Sequence, residues 1–194
     1  MNPLKSVGGT IAAGFVAAVL ITFLLNAPAS ASAWSFAVWL HVLAGITWIG
    51  LLYYFNFVQV PAVADATADA DGPGPAAISK YVAPRALWWF RWGAVATWLT
   101  GAVALEYVGG FSTHFFATGG VTVIGVGAWL GTIMLINVWA LIWPNQKKLL
   151  GMVEASDEQK ASAKAIAFAA SRTNTLLSIP MVMCMVGHGH GLVF

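Results

Sequence analysis

Five long apolar stretches, at about 8–26, 34–59, 87–108, 119–143 and 174–193, are separated by short polar segments. Crossing a bilayer core takes roughly 20 mainly apolar residues in a helix. The pattern therefore predicts an all-α membrane protein, a single transmembrane domain over 1–194 with about five transmembrane helices. The segments 60–86 and 144–173 are predicted as loops. The first is acidic and broken by Gly-Pro-Gly-Pro at 72–75. The second alternates charged and Ala-rich runs, which suggests a helix over 147–172 lying against the bundle. Trp143-Pro144-Asn145-Gln146 reads as a helix stop, with a site at Asn145-Gln146 as the alternative, and Ser171-Arg172-Thr173-Asn174 as a helix start rich in capping side chains. Pro180 is expected to kink or loosen the last helix.

Composition agrees. Of 194 residues 59% are hydrophobic and only 8% charged, against about 25% in a soluble domain. The distribution of charge says more than its sum. The nine Lys and Arg residues fall in three groups: Lys5; Lys80, Arg85 and Arg91; and Lys147, Lys148, Lys160, Lys164 and Arg172. The connections 27–33 and 109–118 carry none. By the positive-inside rule the topology is N-in/C-out, with the three basic groups on the cytoplasmic face of a bacterial inner membrane. The first stretch also has the look of a secretory signal, with Lys5, an apolar run and an Ala-x-Ala site before Trp34. We expect it to be retained as a span; its removal would leave the other four in place. No feature points to nucleic acid. The cluster Trp88-Trp89-Phe90-Arg91-Trp92 is expected to anchor the third helix at the interface. Cys184 is a lone thiol in an apolar stretch and is expected to be buried and structural.

Ionisable side chains inside a membrane are costly and mark function. His41 lies about 10 Å below the outer end of the second helix and His188 about 9 Å below the outer end of the fifth. Two imidazoles at matching depth on facing helices are a common way to hold a b-type haem in a bundle. His190 is about 200° around the helix from His188 and is the alternative ligand. His114, in the short outer loop, is expected to be solvated. Gly45, one turn beyond His41, would leave room for a flat macrocycle, and Trp48, a further turn on, would wall it. The competing reading is a structural histidine hydrogen-bonded between helices packed at Gly45 and Gly50. Haem propionates would find Trp, Tyr, Ser or backbone donors, His114 or His190, or would point inward to Arg91. There is no Cys-x-x-Cys-His, dinucleotide or phosphate-loop motif. Glu106 is the only acid within a span, which speaks against a proton-coupled pump. Met181, Met183 and Met185 are expected to pack, with an axial Met ligand as a further alternative.

Several blocks occur in a characteristic order: His41-Val-Leu-Ala-Gly-Ile-Thr-Trp-Ile-Gly50, Trp89-Phe-Arg-Trp-Gly-Ala94, Trp98-Leu-Thr-Gly101, Gly131-Thr-Ile-Met134 to Asn137-Val-Trp139, Ile142-Trp-Pro-Asn-Gln146, and Ser171-Arg-Thr-Asn174 with Ile179-Pro180. Over residues 34–190 they resemble the membrane domain of the bacterial membrane-bound urate oxidases, the urate oxidase N-terminal domain. A looser similarity extends to the membrane protoporphyrinogen oxidase and copper-resistance membrane protein families. The resemblance implies a haem-binding redox protein that passes electrons towards a cytochrome c. As a haem relay the chain would take electrons from a membrane donor, such as a quinone or a partner subunit, and pass them to a periplasmic acceptor. Full-length urate oxidases of this type carry a further cytochrome c domain, and a histidine often precedes their Gly-Thr-Ile-Met block, where this chain has Ile124-Gly-Val-Gly-Ala-Trp129. Two other readings follow. One is an oxidase of urate or a porphyrinogen, with Arg91, Asn137, Gln146, Arg172 and Asn174 near the substrate. The other is a non-catalytic subunit of a larger complex.

Overall fold

The computed structural model describes residues 2–25 and 32–192, and these divide into two units. The first, up to residue 36, holds α1 (Val7–Leu24), whose start is fixed by the Ser6 hydroxyl accepting from the Gly9 amide at 3.1 Å. No residue of α1 is buried. The signal-like stretch at 26–31 lies outside the described residues.

The second unit, from residue 37, carries α2 (Ala33–Tyr54, begun in the first unit), α3 (Val60–Ala68), α4 (Ala83–Tyr107), the short α5 (Phe111–Phe115), α6 (Val123–Ile136), α7 (Trp143–Leu149) and α8 (Asp157–His190). There is no strand among the described residues. Among the described residues three helices are long and apolar enough to cross a bilayer, over Val7–Leu24, Ala33–Ala68 and Val123–Leu149. That is the mark of a membrane protein. The second unit has a hydrophobic core around Trp48, Leu52, Phe90, Met134 and Val138, and it also buries polar side chains while turning many apolar ones outward. Asn56, Thr97, Asn174 and Ser178 are buried, while Val42, Ile46, Leu99, Val103, Ile133, Ile136, Ile179 and Val186 face outward. Such an arrangement suits a hydrocarbon solvent, in which buried polar groups hold helices together.

The helices run on through three prolines, one of them at the stop expected over Trp143–Gln146 and one at the expected end of the second span. Val60-Pro61, Ala83-Pro84 and Trp143-Pro144 each follow a widened, π-helical turn: Phe55–Gln59, Ile78–Val82 and Asn137–Ile142. In each, the residue before the proline bonds five residues back: Val60 N–H to the Phe55 carbonyl, Ala83 to Ile78, and Trp143 to Val138. A proline in an α-helix lacks its N–H and collides with the carbonyl four residues earlier. A wider turn relieves the collision. Within these helices Asn145 Nδ2 donates to the Leu141 carbonyl at 2.8 Å and Asn56 Nδ2 to the Leu52 carbonyl at 2.9 Å, each four residues back. The helix stop expected at Trp143–Gln146 is therefore a continuous helix to Leu149, and the loop expected from residue 60 begins as α3.

The last helix also starts earlier than expected. Ser156 caps it with a full capping box: its hydroxyl accepts from Gln159 N, and Gln159 Oε1 accepts from Ser156 N at 2.9 Å. The separate helix expected over 147–172 is thus mostly the first half of α8, and Ser171–Asn174 lies inside it. Thirty-four residues make α8 about 51 Å long, and it runs through Pro180 as one helix. Close packing of α6 on α8 rests on Gly127, where an added methyl would sit 3.0 Å from Cys184 Cβ. Cys184 is buried and free.

Candidate functional site

His41 lies on α2, and its ring meets α4. Its Nδ1 is 2.8 Å from the Thr97 carbonyl oxygen. A carbonyl only accepts, so Nδ1 carries the proton and donates, which leaves the Nε2 lone pair free. Room for the ring comes from Gly101, one turn beyond Thr97. A methyl there would lie 2.8 Å from Cε1 and 2.9 Å from Nδ1 of His41. Gly45, expected to clear this space, faces the Thr97 methyl at an ordinary 3.8 Å. Below, α2 and α4 stay close because Gly93 sits against the Trp48 backbone, its missing methyl 3.4 Å from Trp48 N. Trp48 is buried on the His41 face of α2, and its Nε1–H has no partner.

The other histidines meet at the end of α8. His188 and His114 have ring centroids 6.2 Å apart, at 71°. His114 is not simply solvated, in contrast to the expectation from its loop position. Gly109 and Gly110, at φ 128° and 100°, turn the chain into α5, and the imidazole folds back. There Nε2 donates to the Val108 carbonyl at 3.1 Å, and Nδ1 accepts from the Thr122 hydroxyl at 3.0 Å. With both nitrogens used, His114 offers no lone pair to a metal. His188 and His190 are exposed. The bonds Tyr53 to Ser178 (2.9 Å) and Asn56 to Ser171 (2.8 Å) set α2 and α8 antiparallel. Continued at equal rise, that register puts His188 about level with His41. Glu106 caps α5, its Oε2 accepting from Phe111 N at 2.9 Å.

Arg91 is on another face of α4, about 120° around from the Gly93–Thr97–Gly101 side that meets α2. Its guanidinium lies flat on Trp143, 3.3 Å from the ring centroid. The side chain is only 8% exposed, and Nε and Nη1 are buried without partners. Beside it Trp92 packs edge-on against Trp139, whose Nε1 is also unpartnered. Of the remaining polar candidates, Asn137 and Asn174 come together. Asn137 Nδ2 donates to Asn174 Oδ1 at 2.9 Å, and Asn174 Nδ2 donates to the Met134 carbonyl at 3.0 Å. Their bonding capacity goes largely into holding α6 to α8. Arg172 points outward over Phe168, and Gln146 is half-buried on α7.

Comparison with known proteins adds one match, over α5 to α8. Residues 107–194 match the urate oxidase N-terminal family. No protein of curated function and no solved structure matches it. The family segment includes the Asn137–Asn174 pair, His114, His188 and Trp143, the platform of Arg91. His41 and Arg91 themselves lie before it, on α2 and α4. Thr97 and Gly101, the residues that position His41, were not singled out as ligand-site residues from sequence. Their signal was an i, i+4 pair on one helix face, within and just before the Trp98-Leu-Thr-Gly101 block.

The group suggested by the histidines is a b-type haem, and the residues of α2 and α4 fit it. A ligating imidazole typically donates its second N–H to a backbone carbonyl, as Nδ1 of His41 does, which fixes the tautomer with Nε2 as ligand. The unpartnered Nε1–H of Trp48, two turns along the same face, is a donor suited to a propionate. Among the described residues no three His, Cys, Asp or Glu side chains cluster as a bare-metal site.

Proposed function

We propose that this chain is a member of the urate oxidase N-terminal family and a b-type haem-binding electron-transfer protein of the bacterial inner membrane, with five spanning helices arranged N-in/C-out. The observation that carries the reading is the Nδ1–H donated by His41 to the Thr97 carbonyl, which prepares Nε2 as an axial ligand. His188, about level with it on α8, is the second ligand, and His190 the alternative. A bound haem would supply one-electron redox chemistry. The chain's own residues orient it: Gly101 admits the ring of His41, and Trp48 supplies a donor for a propionate. The topology rests on the Lys and Arg distribution. Electrons would pass between a membrane donor, such as a quinone or a partner subunit, and a cytochrome c on the outer side.

The test is a reduced-minus-oxidised visible spectrum of the purified protein beside His41→Ala, His188→Ala and His190→Ala. A sharp b-type α-band in the wild type, lost in His41→Ala and in one of the α8 variants, supports the assignment. Wild-type protein without haem absorbance after expression with ample haem contradicts it. Urate oxidation is the second reading, favoured by the family match alone; urate-dependent reduction of the bound haem would show it.

A further inference from the structure

Arg91 presents a problem the haem site does not answer. A guanidinium taken out of water needs a counter-charge and partners for its N–H groups, and without them it is strongly destabilising. Here the side chain is 8% exposed, and Nε and Nη1 have no acceptor. The only ion pair among the described residues is Lys160–Asp157, on the exposed start of α8. Trp143 covers one face of the guanidinium and offers it a π-cloud, but a ring face satisfies no in-plane N–H. In the same α4–α7 seam Trp139 leaves its Nε1–H unmade. The unmet groups around the guanidinium are donors, Arg91 Nε, Arg91 Nη1 and Trp139 Nε1, and the one buried acceptor left unpartnered among the described residues, Gln59 Oε1, is on the widened turn before α3 and makes no hydrogen bond to them.

We propose that this seam is an anion-binding site, in which Arg91, held flat by Trp143, takes an oxyanion group, a carboxylate or a phosphate. A neutral ligand would meet the donors but leave the charge, so the ligand carries the negative charge the chain lacks. Aromatic side chains line the approach, with Trp92 on Trp139 and Trp143 beneath the guanidinium. They suit an amphiphilic or aromatic carrier of the charged group. The two sources are a small organic carboxylate and a lipid headgroup. The site is on a different face of α4 from His41 and does not depend on the haem reading.

The experiment is thermal unfolding of the full chain in lipid nanodiscs, wild type against Arg91→Gln, Arg91→Lys and the exposed control Arg172→Gln. Discs are phosphatidylcholine alone, the same with sodium benzoate, or phosphatidylcholine with phosphatidylglycerol. Anion at a concentration well above its dissociation constant should raise the midpoint of wild type and Arg172→Gln by about 4 °C. It should leave Arg91→Gln unmoved and Arg91→Lys partly responsive. Arg91→Gln without anion should be at least as stable as wild type, because an unpaired buried charge has gone. A benzoate response identifies a small carboxylate, and a response to phosphatidylglycerol alone identifies a lipid phosphate; either supports the site. No response to either anion, or the same response in Arg91→Gln, overturns it. Running the series on His41→Ala as well separates this result from the haem assignment.

Discussion

The two sides of α4 treat a cationic-type side chain in opposite ways. Towards α2, the His41 imidazole has one nitrogen fully engaged by the Thr97 carbonyl and its ring seated in the gap left by Gly101. Towards α7, the Arg91 guanidinium is stacked on Trp143 with two nitrogens unengaged. The first arrangement is preorganised: one proton is placed so that one lone pair is free. The second is incomplete, and no side chain among the described residues completes it. In a membrane interior such differences are large, because no water compensates an unmade bond. A satisfied residue with one free lone pair points to a metal ligand, and an unsatisfied donor cluster points to an anion.

The largest effect is expected from filling the gap beside His41. Gly101→Leu should abolish haem absorbance, since even the first carbon would lie 2.8 Å from Cε1. Gly101→Ala should lower haem occupancy at least about tenfold, roughly 1.4 kcal/mol. Haem content per protein measures both, and wild-type content in Gly101→Leu would break the comparison. Next is Asn174→Leu, which strands Asn137 and the Met134 carbonyl at the α6–α8 seam. It should cost about 3 kcal/mol and lower the melting midpoint by about 6–12 °C. The haem band should keep its position, because the hydrogen bonds lost are to Asn137 and Met134 and none is to His41, Thr97 or Arg91. Gly93→Ala is smaller, about 1 kcal/mol, as its methyl would press at 3.4 Å on the Trp48 backbone. It should shift the haem band, where Asn174→Leu does not.

The smallest effects lie at the start of α8. Ser156→Ala removes the capping box and should cost about 1 kcal/mol, read as a lower midpoint with no spectral change. Beside it, the Glu158 carboxyl is held below its ordinary value by the Ser156 hydroxyl and its own backbone amide. A depressed carboxyl stabilises above its unfolded pKa, and that contribution is lost as pH falls through its folded value. The Ser156→Ala penalty should therefore be larger at pH 7 than at pH 3. Equal penalties would remove Glu158 from the account.

Much of this was legible in the chain. The apolar runs located α1, the α2–α3 helix and the α6–α7 helix, because each holds at least about one membrane thickness of hydrocarbon-compatible residues. What was misread follows from two local effects. Pro61 and Pro144 look like stops, yet the widened turns before them carry the helices on. Residues 157–170 look like a surface helix by their charge, yet Ala163, Ala167 and Ala170 make a buried stripe continuous with Asn174 and Ser178. His41 stood out as an ionisable group in an apolar run, but its partner Thr97 lies 56 residues away and is an ordinary backbone carbonyl. His114 was misjudged because its partners depend on the Gly109-Gly110 turn. Arg91 was marked by its position, whereas its lack of partners is a property of packing alone.

The most direct test of the account is chemical rescue at His41. His41→Gly should lose the b-type α-band, and added imidazole should restore it by entering the vacated space between α2 and α4 and ligating through a ring nitrogen. Restoration in His41→Gly, without a comparable effect in Gly101→Leu, is the predicted result. An unchanged α-band in His41→Gly before any imidazole is added would show that the residue is structural and that the ligand lies elsewhere.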